Sequence, residues 1–323
     1  MGRREILVAR EHDRFALRSA YRAGAVRRVR RGAYVRAADD GGTGGRTGGG
    51  TDGAAARHRD RILAVHRQLR ADHAFSHDSA ALLWGLALWD EPDRVHVIQE
   101  YRSGTTAARD IARHHDRVAG VVELDGIPAT DLTRTVVDCL TTMAPLAGLV
   151  LADSALRRNV PVAAALDMLG QRRRPNGRAR ARMLLGLADV GAESPWESWL
   201  RYSALRLGLP RPQTQALVAT RLGPFRVDVG WPEHGVLAEF DGRVKYTPGA
   251  LGARSDPQSS LFDEKRREDA ITEATGIRLL RFTARDAARP AEVAERLLRR
   301  FPADVRRAAR VDPRLPVPAP GRA

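Results

Sequence analysis

The stretch VLAEFDGRVKY, Val236 to Tyr246, sets two acids at alternate positions of an otherwise apolar run and follows them with Lys245. Strand side chains alternate faces, so Glu239 and Asp241 are expected on one side, with Leu237 in their row and Ala238 and Phe240 pointing away. Upstream, RVDVGW carries Asp228, and the short connection WPEHG would fold the two runs into antiparallel neighbours that bring Asp228 beside Glu239. Like charges that close repel and lose solvation, so the cluster calls for a cation or a shared proton. Magnesium, with manganese as a substitute, is the natural occupant: a hard ion takes oxygen ligands and keeps waters that a substrate phosphate can replace. Asp228, Glu239 and Asp241 are the expected ligands, with the Phe240 carbonyl. The ion would activate water and neutralise charge as a phosphodiester breaks. Lys245 is one of two lysines in a chain that otherwise uses arginine, which suggests a place for a compact point charge that orients water or stabilises a developing phosphorane. A surface ion pair with Asp241 is its alternative role.

The elements that must position these groups are legible around them. SPWESWLRYSALRLGLPRP offers Ser194 as N-cap, Pro195 in the first turn and Trp196, Trp199, Leu200, Leu205 and Leu207 as a core face, on a helix that carries Glu197. Glu197, or Glu193 just before the helix, joins Asp228, Glu239, Asp241 and Lys245 as the candidate catalytic set. QALVATRLGPFRVDVGW reads as a hairpin. After TPGALGARSDPQSS, expected as a loop, LFDEKRREDAITEAT reads as a helix stopped by Gly276, and IRLLRFT as a strand. Lys265, Arg267 and Arg281 on these elements are candidates for contact with DNA phosphates. The alternative is a solvated helix, because Glu264, Glu268 and Asp269 largely cancel its charge.

The chain has 323 residues and a formal charge of +15, with 54 basic against 39 acidic side chains. Such an excess favours a polyanionic partner through phosphate attraction and counterion release. The first segment, to about Val35, reads as a helix with Asp13 as N-cap, apolar Phe15, Leu17, Ala20 and Tyr21, and Gly24 as its stop. The basic hairpin AVRRVRRGAYVR follows. A helix followed by a basic hairpin is the outline of a winged helix, in which Arg27, Arg28, Arg30 and Arg31 would meet a DNA backbone. An amphipathic helix with a solvated charge run is the competing interpretation.

Residues 41–53 form a glycine-rich tract whose G-x-G-x-x-G match at Gly48, Gly50 and Gly53 has no hydrophobic strand before it to make a dinucleotide loop. Residues 54–170 read as a mixed α and β region, with a capped helix in AFSHDSAALLWGL, strands in DRVHVIQE and GVVELDGIPA, and a helix opening at ATDLTRTVVDCLTTM. His73 and His77 stand four apart and would share a helix face. Without an acidic or thiolate cluster at metal spacing they read as capping or surface histidines, as do His114 and His115. Residues 171–182 read as a basic linker, 183–308 as a third domain and 309–323 as a proline-rich tail expected to stay disordered. The single Cys139 excludes a disulfide framework and a thiolate cluster. No apolar run reaches membrane-spanning length, so a soluble cytoplasmic protein without a membrane partner is expected.

Taken in order, the Glu197 helix, RVDVGWPE, LAEFDGRVKY, EKRRED and GIRLLRFT resemble the very-short-patch-repair (Vsr)-like branch of the PD-(D/E)XK nuclease superfamily. The resemblance covers about the last third of the chain. It implies a restriction-endonuclease-like mixed sheet flanked by helices, with Glu197, Asp228, Glu239 and Asp241 at the acidic site. Where the superfamily has lysine two residues after the glutamate, this chain has Asp241. AVRRVRRGAYV, FSHDSAALLWGL, VHVIQE and GIPATDLTRTVVDCL resemble AbiEi-type antitoxins of type IV toxin-antitoxin systems. That resemblance implies a winged-helix head, a second α/β domain and a toxin or defence-system partner. The expected whole is therefore an α/β (α+β multidomain) protein that binds DNA and carries a magnesium-dependent endonuclease domain. The alternative is a non-enzymatic DNA-binding regulator or antitoxin on a degenerate nuclease fold.

Overall fold

The computed structural model describes residues 5–37, 51–101, 108–172, 175–241 and 257–318. The chain is mixed α/β, with twelve α-helices and three sheets among these residues. It divides into two compact units, one drawn from Met1–Thr142 and Val160–Arg178, the other from Met143–Asn159 and Ala179–Gly321. The head and middle region expected as separate domains thus fall within one unit.

In the first unit, β1 (Ile6–Val8), β2 (Val26–Arg30) and β3 (Ala33–Arg36) form an antiparallel sheet in the order β1-β3-β2. Helix α1 (Arg14–Arg22) starts where expected, because the Asp13 carboxylate accepts from the Phe15 and Ala16 N–H groups, and Gly24 ends it at φ +73°. Its apolar face is narrower than the spacing suggested: Leu17 is buried, whereas Phe15 is 81% and Tyr21 50% exposed. Helix α2 (Thr51–Gln68) packs on this sheet, with Ala64 buried among Ile6, Val8, Ala33 and Val35. It also contributes Ile62 and Val65 to the core of the next sheet. One helix therefore serves two cores, which is why head and middle region do not separate.

That second sheet has the order β6-β5-β4-β8-β7, from β4 (Ala74–Phe75), β5 (Val95–Gln99), β6 (Ile111–His115), β7 (Val121–Leu124) and β8 (Ile127–Thr130). GVVELDGIPA resolves into the β7–β8 hairpin, whose turn places Asp125 at φ +51° and Gly126 at φ +76°. Helices α3 (His77–Leu83), α4 (Leu132–Thr142) and α6 (Val162–Gln171) complete this unit, and Cys139 is a buried core residue.

The second unit holds a four-stranded sheet of order β12-β11-β10-β9, built from β9 (Gln213–Thr220), β10 (Gly223–Trp231), β11 (Val236–Phe240) and β12 (Leu280–Phe282). The β9–β10–β11 ladder is antiparallel and β11–β12 parallel. Around it lie α5 (Pro145–Arg157), α7 (Arg178–Leu187), α8 (Pro195–Arg206), α9 (Pro257–Thr275), α10 (Ala284–Ala287), α11 (Pro290–Leu298) and α12 (Ala303–Ala308), with Arg178 itself at the edge of the first unit. The Ser194 hydroxyl caps α8 through the Glu197 N–H, and Gly276, at φ +67°, follows the end of α9. Helix α9 begins at Pro257, inside the run expected as a loop.

Three boundaries differ from the sequence reading. Helix α5, placed by sequence in the middle region, belongs to the second unit, where Asp153 makes a fully buried ion pair with Arg201 of α8. The basic linker 171–182 is partly helical, because α7 starts at Arg178. The proline-rich tail packs rather than hanging free: Leu315 is 1% exposed, the Tyr202 hydroxyl donates to the Pro316 carbonyl at 2.9 Å, and the Asp312 N–H donates to the Arg206 carbonyl at 2.8 Å. Gly208 admits this approach, since a Cβ there would meet the Arg310 carbonyl oxygen at 2.2 Å.

Candidate functional site

The register of the second unit aligns chemistry across the sheet. Val229 faces Ala238 on β11 and Thr214 on β9, and Glu239 faces Arg281 on β12. Gln215, Asp228, Glu239 and Arg281 therefore occupy one transverse row, one residue from four successive strands. Gln215 holds its place at φ +49°, a left-handed conformation for a residue that is not glycine.

The row is crossed by helix side chains. Gln215 donates its Nε2 to the Glu197 carboxylate at 3.1 Å, and the same oxygen accepts the Glu193 N–H at 2.8 Å. Asp228 accepts the Phe240 N–H at 2.8 Å. Burial raises the Asp228 carboxyl to about 7; the negative charges of Glu197 and Glu239 add to this, against the Phe240 hydrogen bond and the Arg267 charge. Glu239 is 8% exposed and is engaged by Arg267 of α9, with Nη1 at 3.3 Å from Oε2 and Nη2 on Oε1. Arg267 also donates to the Arg226 carbonyl, and its guanidinium lies over the Phe225 ring at 5.6 Å. Arg281 stands 4.0 Å from Glu239 and pairs with Glu264 and Glu268 of α9.

The expected acids thus fall as follows. Glu197, Asp228 and Glu239 share one electrostatic neighbourhood. Asp241 follows β11, with its N–H donated to the Phe282 carbonyl. Lys245 lies outside the described residues. The oxygen donors, with the burial and the neighbouring negative charges that raise the Asp228 pKa, fit the chemistry of a divalent ion. As arranged, a guanidinium supplies part of that charge at Glu239. Among the described residues, the one group of three side chains with ligand atoms within 4.8 Å of one another is formed by His77, His96 and His114.

Of the cations expected to contact DNA, Arg28, Arg31 and Lys265 are exposed. Arg27 is exposed too but pairs with Asp60 at 2.7 Å. Arg30 grips Asp110 at 2.8 and 3.0 Å and also reaches Gln68. Arg267 and Arg281 are tied to glutamates.

The histidines depart from expectation. His73 precedes β4 and meets His66 of α2 at 3.2 Å, so it shares no helix face with His77. His77 opens α3 and stacks on His114 of β6 with ring centroids 3.9 Å apart, while His96 of β5 stands 5.1 Å from the His114 ring. Burial holds His77 down to about 2 and His96 to about 4, with the neighbouring histidines adding to both, so these rings are neutral. The cue in the sequence was weak: each histidine comes from a different element, and only the parallel pairing of β5 with β6 joins two of them.

No protein-family model matches this chain, and no curated protein does. Among solved structures, it is similar to the RV2827C protein from Mycobacterium tuberculosis, at 14% identity and a TM-score of 0.35, over 56% of this chain and 71% of that one.

Proposed function

We propose that the protein binds DNA and that its second unit hydrolyses DNA phosphodiesters with a divalent metal ion, magnesium first. The observation that carries this reading is the placement of Asp228 opposite Glu239 in one partly buried row, with Glu197 near enough to act on it. Asp228 and Glu239 would hold the ion, with Asp241 as an added or water-mediated ligand. When bound, the ion supplies Lewis-acid activation of water and neutralises phosphate charge. Gln215 fixes Glu197 by hydrogen bonding. The exposed Arg28, Arg31 and Lys265, and the charge of +15, suit a nucleic-acid backbone.

A second reading is a regulator or antitoxin that binds DNA without cutting it. It is favoured by Arg267, which takes up both oxygens of Glu239, and by Asp241 at the position where nucleases of this type carry lysine.

The test is incubation of the purified protein with supercoiled, single-stranded and mismatched DNA in magnesium or manganese and then in EDTA, beside a D228A/E239A variant. Divalent-dependent nicking that the variant lacks is the expected result. Equal DNA binding by both proteins without cleavage overturns the nuclease reading and leaves the regulator.

A further inference from the structure

We infer that His77, His96 and His114 form a three-imidazole site for a borderline divalent transition metal ion, zinc first, in the first unit. The site is independent of the acidic row.

His96 Nδ1 and His114 Nε2 lie 3.0 Å apart. Zinc–nitrogen bonds of about 2.0–2.1 Å in a tetrahedral shell set ligand nitrogens about 3.3 Å apart, so this pair already stands near ligand spacing. His77 donates from or accepts at Nδ1 with the Ser76 hydroxyl at 3.0 Å, which leaves Nε2 as its ligand atom. Ligand atoms of all three lie within 4.8 Å of one another.

The surroundings match what a metal-bound histidine requires. A ligating imidazole directs its other nitrogen to a carboxylate or carbonyl that fixes tautomer and ring orientation. His96 has such a partner: Asp78 Oδ1 stands 3.6 Å from His96 Nε2 and is buried without a hydrogen bond. Binding through His96 Nδ1 places the proton on Nε2, facing that carboxylate across 3.6 Å. The His96 N–H is itself fixed by the Ser79 hydroxyl at 2.9 Å. A neutral imidazole offers one lone pair, so binding needs the tautomer that frees each ligand nitrogen.

His77 has φ +51°, a backbone conformation costly for a residue with a Cβ. That strain falls on the one histidine that brings the helix to the two strands. Charges near the site are mixed. Arg134 and Arg172 act on His77, and both engage Asp138, which limits their opposition to a dication. Arg94 acts on His96 and His114. Three nitrogen donors select zinc, cobalt or nickel over magnesium and leave a further coordination position for water or a substrate oxygen.

The test is titration of the chelator-stripped full-length protein with cobalt(II), followed by visible absorption and then by zinc competition. About one equivalent should give the intense d–d bands of a four-coordinate ion, and zinc should abolish them. H114Q should weaken binding about 100-fold and D78N about 10- to 100-fold, the second without removing a ligand. H73Q, which alters the separate His66–His73 pair, should bind as the parent does. Absent d–d bands overturn the site, as does equal cobalt affinity in the parent and D78N. Circular dichroism establishes that each variant is folded, and if H114Q is not, D78N decides.

Discussion

Arg201 and Asp153 meet at 2.7 Å with both side chains wholly out of solvent, one from α8 and one from α5. Asp153 also accepts the Ser198 hydroxyl at 2.7 Å and the Asp189 N–H at 2.8 Å, and Arg201 donates to the Leu187 carbonyl at 2.7 Å. Removing one member leaves the other group buried without its partner, which costs about 3–5 kcal/mol. R201M should lower stability by that amount in urea unfolding followed by tryptophan fluorescence. The double variant R201M/D153L should recover part of it.

Asp228 should make stability depend on pH. Its folded pKa is raised to about 7, so the fold favours the protonated carboxyl. That contribution is full below the unfolded value near 4 and is lost as pH rises through 7. The parent should therefore lose about 2 kcal/mol between pH 5 and pH 8 that D228N retains. Saturating magnesium should raise the parent's melting temperature more at pH 8 than at pH 5.5, because the ion competes with the proton.

Arg267 holds the charge of Glu239, and a bound cation can do the same. R267Q should cost about 1–3 kcal/mol without metal, through lost hydrogen bonds and a buried Glu239 charge left without its partner. The deficit should shrink when manganese is saturating. Thermal unfolding of both proteins with and without the ion checks this, and an unchanged deficit counts against metal at Glu239.

The basic hairpin separates affinity from stability. R28A/R31A removes exposed cations and should reduce the slope of log affinity against log salt by about two while leaving the melting temperature unchanged. R30A breaks the grip on Asp110 and should lower the melting temperature instead. Fluorescence anisotropy with duplex DNA at several salt concentrations reads the first effect.

Leu315 lies buried within a segment whose composition suggests a tail. L315A should cost about 2–4 kcal/mol, the range for a leucine truncated in a packed core. A loss under 0.5 kcal/mol would place this segment outside the cooperative unit.

What could be read from the sequence was local. The Ser194 cap, the β9–β10 hairpin, the partnership of Asp228 with Glu239 and the Gly276 stop each rest on signals a few residues long. Long-range pairing was not legible. Nothing near His96 announces that β6 will lie parallel to β5, whereas His73 and His77, four apart in sequence, look like a pair and belong to different elements. The arginine clamp on Glu239 was similarly out of reach, because a charged helix looks solvated until a sheet is placed beneath it. The tail misled through composition: proline discourages regular structure but does not prevent a leucine from filling a cavity.

The chain's route between its units bears on synthesis. Helix α5 leaves the ribosome before α8, whose Arg201 neutralises its buried aspartate, and the intervening residues include a segment that completes the other unit. Translation at about 5–20 residues per second leaves α5 waiting for several seconds with an apolar surface uncovered. A fragment begun at residue 179 would never receive that helix at all, so dissecting this protein at its arginine-rich junction would cut through a unit rather than between two.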